Sequence, residues 1–201
     1  MADETTPHRN WEAYYANTAG RPPRPTLLYA LDAFEKEGGI GLAVDLGAGT
    51  GRDAIEILRR GWRVFANDKE AGALERLRAA AGDAADRLDT STEPMERLHL
   101  PKSLLVNASF ALPFIEPEMF LSLWQRIHDA LEPGGRFAGQ LLGPEDTWVR
   151  NGRCPGYDRL QLDEILSQWE VERLEEEVDD SVTPQGEAKH WHLWHLNLRR
   201  G

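Results

Sequence analysis

Cysteine is nearly absent: Cys154 stands alone among 201 residues, which excludes an intramolecular disulfide and any cysteine-rich zinc site. Long apolar runs are missing too. No stretch approaches the ~20 apolar residues of a membrane span, and Met1 to Trp11 lacks the basic-then-apolar order of an export signal. A cytoplasmic protein with no membrane partner is expected. Positive charge is also scarce, with 23 Lys and Arg against 34 Asp and Glu and a net charge of -11. That balance opposes the phosphate contacts that dominate affinity for nucleic acid, so no nucleic-acid partner is expected. Internal repeats and low-complexity segments are lacking as well.

What the chain does have is core-forming material, 41% apolar residues with seven Trp and six Phe. Its length suits one globular domain of ~100 to 200 residues. The apolar spacing of Leu27, Leu28, Leu31 and Phe34 predicts a helix ended by Gly38-Gly39. Gly41 to Leu46 predicts a strand, Arg52 to Arg60 a helix and Trp62 to Asn67 a second strand, one βαβ unit. A helix over Ala71 to Ala81, a weak strand over Arg87 to Thr92 and a strand over Ser103 to Ala108 follow. Pro117 to Leu131 predicts a helix closed by Pro133-Gly134-Gly135, before a strand from Arg136 to Leu142. A short helix over Leu162 to Trp169 precedes β-like runs 170–178 and 189–198, read as an antiparallel hairpin. The pattern implies an α/β, Rossmann-like, mostly parallel seven-stranded sheet with helices on both faces and a C-terminal antiparallel hairpin. Residues 1–39 are read as an N-terminal helical lid segment and 40–201 as the main domain.

The most informative stretch is Asp45-Leu-Gly-Ala-Gly-Thr-Gly51, where a strand turns into a helix and glycine admits positive φ and close approach of a ligand. Counting from Gly47, the third glycine of a dinucleotide fingerprint is replaced by Arg52, which weakens a nicotinamide reading. Asp45 weakens it further, because a carboxylate there repels a pyrophosphate and attracts an ammonium. The lysine and hydroxyl of a phosphate-binding P-loop are absent. Asp68, ending the next strand, is placed like an acid that accepts hydrogen bonds from ribose hydroxyls.

Asp45 to Gly51, Asp68, Asn107-Ala-Ser-Phe110 and Leu131-Glu-Pro-Gly-Gly-Arg-Phe137 resemble successive motifs of class I S-adenosylmethionine-dependent methyltransferases, across roughly residues 40 to 142. Trp11, the paired Tyr14 and Tyr15, and the C-terminal hairpin resemble the tellurite-resistance methyltransferase group and its bacterial relatives. The resemblance implies an enzyme using S-adenosyl-L-methionine and releasing S-adenosyl-L-homocysteine. By the same resemblance Asp45, Gly47 and Gly49 hold the methionyl end and Asp68 the ribose, with the backbone of Met95 meeting the adenine. Pro94 occupies the usual acid position, leaving Glu93 or Glu96 for the adenine amino group. Ala48, Lys69, Asn107 and Ala108 complete the expected cofactor contacts along these motifs.

Methyl transfer from a sulfonium is an in-line displacement in which the protein mainly aligns the nucleophile and excludes water. Asn107 to Phe114 should face the methyl group, with Phe110, Leu112 and Phe114 lining an apolar pocket. This segment lacks both the Asn/Asp-Pro-Pro-aromatic loop used on exocyclic amines of nucleobases and a cysteine to attack a pyrimidine. One of Arg21 and Arg24 is expected to clamp the methionyl carboxylate. Trp11, Tyr14 and Tyr15 form either a lid, with Tyr15 at the cofactor, or an amphipathic helix packed on the sheet. In Lys189-His-Trp-His-Leu-Trp-His195, His190 and His192 share a strand face and His195 takes the other, so three metal ligands do not converge and no metal is expected. His192 is the candidate general base and Phe110 the candidate residue at the transferred methyl. The expected acceptor is a small molecule and the expected state a monomer or homodimer. An aminopropyltransferase-like enzyme and a non-catalytic S-adenosylmethionine-binding module are the alternatives.

Overall fold

The computed structural model describes residues 20–183 and 186–201. The expectations for Trp11, Tyr14 and Tyr15 fall outside those residues. The elements in chain order are α1 (Pro25–Glu37), β1 (Leu42–Leu46), α2 (Ala54–Arg59), β2 (Arg63–Asn67), α3 (Ala71–Ala81), β3 (Leu88–Ser91), β4 (Ser103–Ala108), α4 (Pro117–Ala130), β5 (Leu131–Leu142), α5 (Thr147–Arg150), α6 (Arg159–Ile165), β6 (Glu170–Val182) and β7 (Ala188–Arg199).

The strands form one seven-stranded sheet in the order β3-β2-β1-β4-β5-β7-β6. β1 to β5 run parallel, and β7 lies antiparallel to both β5 and β6. The sheet is thus the mostly parallel, hairpin-ended one expected. After β1 the chain builds outward through β2 and β3, then returns to place β4 on the other side of β1. That reversal opens a crevice at the C-terminal ends of β1 and β4, where ligands of open α/β sheets collect.

Both sheet faces are covered. Leu27, Ala30, Leu31 and Phe34 recur at helical spacing on α1 and pack with Ile57, Leu58, Trp62 and Leu77 on one face. On the other, Phe120, Leu123, Trp124 and Ile127 of α4 pack with Leu162, Phe137 and Trp169. Arg136 is buried at 2% exposure, hydrogen-bonds both Glu37 and Glu172, and lies under the Phe34 ring. It binds α1 to β5 and β6.

Several boundaries differ from the sequence reading. Pro133-Gly134-Gly135 does not separate α4 from β5; the strand begins at Leu131, and a register shift between Ser103 and Leu105 of β4 absorbs the irregular turn. A Cβ on Gly135 would stand 2.8 Å from the Glu132 carbonyl oxygen, so glycine here permits the irregularity inside a strand. The short helix starts at Arg159 rather than Leu162 and ends at Ile165, because Asp158 and Gln161 form a reciprocal capping box. The hairpin strands are longer than expected, as Asp179, Asp180, Ser181 and Val182 continue the ladder opposite Trp191, His190, Lys189 and Ala188.

Candidate active site

The loop after β1 turns through three glycines at positive φ, Gly47 at 68°, Gly49 at 55° and Gly51 at 94°. At two of them close approach adds to the conformational demand. A Cβ on Gly47 would stand 2.7 Å from the Ala111 Cβ, and one on Gly51 2.3 Å from Leu77 Cδ1. The loop is pinned to β2, with Ala48 N–H donating to the Asn67 carbonyl at 2.9 Å and Gly49 N–H to Asp68 Oδ2 at 2.8 Å. The other Asp68 oxygen accepts from Glu70 N–H at 2.9 Å. Asp68 therefore stands at the end of β2 facing the glycine turn.

Asp45 is paired in register with Asn107 of β4, which sets the carboxyl beside the amide on one side of the sheet. Asn107 Nδ2 donates to Asp45 Oδ1 at 2.7 Å and to Asp53 Oδ2 at 3.2 Å. Asp45 is 2% exposed, and among the described residues its Oδ2 has no hydrogen-bond partner. Burial holds its pKa well above the usual carboxylate range, and the neighbouring charges of Asp53 and Asp68 push the same way, offset in part by the Asn107 amide and the Ala54 backbone N–H. Asp53 accepts from the Arg24 backbone N–H at 2.9 Å through its other oxygen, and Arg52 Nε donates to the Pro22 carbonyl at 2.6 Å. Residues 22–24 consequently lie against the start of α2. Asp53 escaped the sequence reading because its position reads as an ordinary helix start. The signal available was an acid two residues past the last glycine of the loop.

The end of β4 carries a different chemistry. Phe110 is the non-glycine residue at positive φ among the described residues, at 55°, a conformation that persists only where the surroundings enforce it. Its N–H donates to Gln140 Oε1 at 3.0 Å, and Gln140 Nε2 donates to Thr26 Oγ1 at 2.9 Å. The Arg24 guanidinium lies 4.2 Å over the Phe110 ring. Rings continue outward, Phe110 edge-on to Trp191 at 6.0 Å, Trp191 to Trp148 at 5.4 Å and Trp148 to Phe114 at 5.7 Å. Lys189 Nζ lies 4.0 Å and 4.1 Å from the Trp148 and Trp191 ring centres and forms an ion pair with Asp146.

Met95 reaches the glycine turn, its Cε 3.9 Å from a Cβ built on Gly47. Its loop is held from two sides. Asn67 Nδ2 donates to the Ser91 and Glu93 carbonyls at 3.0 and 2.7 Å, while Arg126 donates to the Glu96 and Leu98 carbonyls at 2.6 and 2.5 Å. Asp45, Gly47, Ala48, Gly49, Asp68, Met95, Glu96, Asn107, Ala108, Phe110 and Arg24 thus belong to the loops and strand ends at this edge. Arg21 and Lys69 are exposed, and Tyr15 lies outside the described residues. His192 sits on β7, its Nδ1 accepting from Glu145 N–H at 3.3 Å and its Nε2 facing Glu176 Oε1 at 3.0 Å. Gln140, Trp148 and Trp191 joined the site only through the sheet order. Among the described residues no cluster of metal-binding side chains forms, and no helix is long and apolar enough to cross a membrane.

Residues 43–135 match a family model described as a methyltransferase domain. A carboxy-S-adenosyl-L-methionine synthase of Wolinella succinogenes is 27% identical over 161 residues, 78% of this chain. The chain spans 66% of that relative's length. Among solved structures, TehB of Haemophilus influenzae superposes with a TM-score of 0.73 at 14% identity, over 95% of this chain and 67% of that one. A 1,6-didemethyltoxoflavin N1-methyltransferase of Burkholderia thailandensis gives 0.66 at 19% identity, over 94% and 84%. The magnesium protoporphyrin IX methyltransferase of Synechocystis gives 0.70 at 13%, over 95% and 94%. Residues 43–135 thus resemble a methyltransferase domain, and the fold of the chain is the one seen in S-adenosylmethionine-dependent methyltransferases and in TehB.

Proposed function

We propose that this protein binds S-adenosyl-L-methionine at the β1–β4 crevice and transfers its methyl group to a small-molecule acceptor held against the Phe110 ring. The observation that carries the reading is Asp45, a carboxylate at 2% exposure with one oxygen unsatisfied. A buried acid left in that state is stabilised by a cation, and the methionyl ammonium is the cation of this cofactor. A pyrophosphate at the same place would meet repulsion instead.

The bound sulfonium supplies a methyl carbon already activated toward displacement. The chain's own residues bind and align. Asp68, at the end of β2 facing the glycine turn, accepts from the ribose hydroxyls, and the loop of Met95 and Glu96 meets the adenine. Arg24 offers its guanidinium to the methionyl carboxylate. Phe110 and the tryptophans beyond it present an apolar wall that excludes water from the transfer. Both ring nitrogens of His192 are engaged, so no proton step is routed through it. Its place beside Glu145 fits a positioning role for the Gly143–Asp146 turn.

The small-molecule class of acceptor is supported by the aromatic wall and by neighbours whose names specify toxoflavin and porphyrin substrates. Calorimetric titration with S-adenosylhomocysteine, followed by mass spectrometry of metabolite mixtures incubated with labelled cofactor, tests the reading. Binding of the homocysteine product and appearance of a methylated product are expected. Modification of the cofactor itself, the chemistry named for the Wolinella relative, would replace methyl transfer as the activity. Absence of binding would overturn the reading altogether.

A further inference from the structure

Asp53 is 5% exposed, and its Oδ2 is joined to Asp45 Oδ1 through the two hydrogens of a single amide, that of Asn107. Among the described residues neither acid forms an ion pair. The one amide cannot neutralise two carboxylates, and among the described residues Asp45 Oδ2 forms no hydrogen bond. Two buried acids sharing one amide, one of them with an unsatisfied oxygen, create a strongly negative point that a single ammonium, with its three donors, relieves.

Resting on the cofactor reading above, we propose that Asp53 is a further cofactor-binding residue, which with Asp45 forms a two-carboxylate subsite for the methionyl ammonium. The Asn107 amide holds the two carboxyls at a fixed separation, and Asp53 Oδ1 stays committed to the Arg24 N–H. The same side chain therefore takes the ammonium and seats residues 22–24, which carry the guanidinium resting on Phe110. Cofactor capture and the acceptor wall share this one carboxylate.

The test compares two probes on the full chain, S-adenosylhomocysteine, which carries the ammonium, and 5′-methylthioadenosine, which lacks the amino-acid portion. Asp53→Asn keeps an oxygen for the Arg24 N–H and removes the charge. Its affinity for S-adenosylhomocysteine should fall at least about tenfold, while that for 5′-methylthioadenosine should change less than about twofold, as for an independent site. Asp53→Ser, a second variant should the first fold poorly, is expected to show the same probe-dependent loss. Unchanged affinity for S-adenosylhomocysteine in a folded variant, or an equal loss for both probes, would overturn the role of Asp53 and leave the cofactor reading standing. Wild-type protein that binds neither probe would overturn the cofactor reading itself.

Discussion

Asp45 and Asp146 are 2% and 0% exposed, yet among the described residues only one of these two buried charges finds all its partners. Asp146 accepts from the Lys189 ammonium, from Trp148 N–H at 2.8 Å and from His192 N–H at 3.3 Å. Asp45 accepts from one amide and keeps an oxygen without a partner. The first arrangement belongs to structure, since the ion pair locks α5 to β7 beneath the aromatic wall. The second leaves part of the electrostatic work to a ligand. The contrast separates an acidic end of the crevice, built from carboxylates and backbone, from an aromatic end whose cations are packed on rings.

The largest expected effect tests the completed charge. Lys189→Met should strand Asp146 and destabilise the fold by about 3–5 kcal/mol, the range for a broken buried pair. Thermal unfolding of the cofactor-free protein measures it, and a change below about 1 kcal/mol would show that Asp146 is satisfied by its backbone donors alone. Next in size, Asp68→Ala should lose ~1.5–3 kcal/mol of charge-assisted bonding to the ribose, a drop of about ten- to a hundredfold in S-adenosylhomocysteine affinity. Calorimetry on the folded variant reads it, and an unchanged constant would remove Asp68 from the site.

A smaller effect of opposite sign is expected at Asp45. Because its folded-state pKa lies above the unfolded value near ~3.9, the cofactor-free protein binds the extra proton only when folded. Its stability is thus present at low pH and declines as pH rises through the folded pKa. Asp45→Asn should abolish that decline and gain about 1 kcal/mol near neutral pH, ~2–4 °C for a chain of this size. The same variant should bind S-adenosylhomocysteine about tenfold more weakly. Scans of melting temperature against pH for both proteins check the sign, and a variant less stable than wild type at pH 8 would refute the strain at Asp45. The smallest effect concerns neither end. His195 pairs with Glu177 at the surface of the hairpin, their side chains 19% and 48% exposed. His195→Gln should shift stability by less than about 0.5 kcal/mol, and a larger loss would mean that the hairpin carries weight the two buried aspartates do not explain.

Much of the fold was legible because its signals are local. Glycines at Gly47, Gly49 and Gly51 mark a turn, the spacing of Leu27, Leu31 and Phe34 marks a helix face, and Thr183 to Gly186 divides two β-like runs. Asp45 and Asp68 could be named because each ends a strand beside that turn, a position chain order alone defines. What only the tertiary structure decided is which side chains meet. Asn107 and Asp53 lie 54 positions apart, Phe110 and Gln140 30, and Lys189 and Asp146 43. Those partnerships follow from the β1–β4–β5–β7 strand order and its register, and a shift of one residue turns a side chain to the opposite face of the sheet. No periodicity within a single segment carries that information, so Asp53 read as a helix start and Gln140 as a polar residue in a strand until the sheet brought their partners alongside.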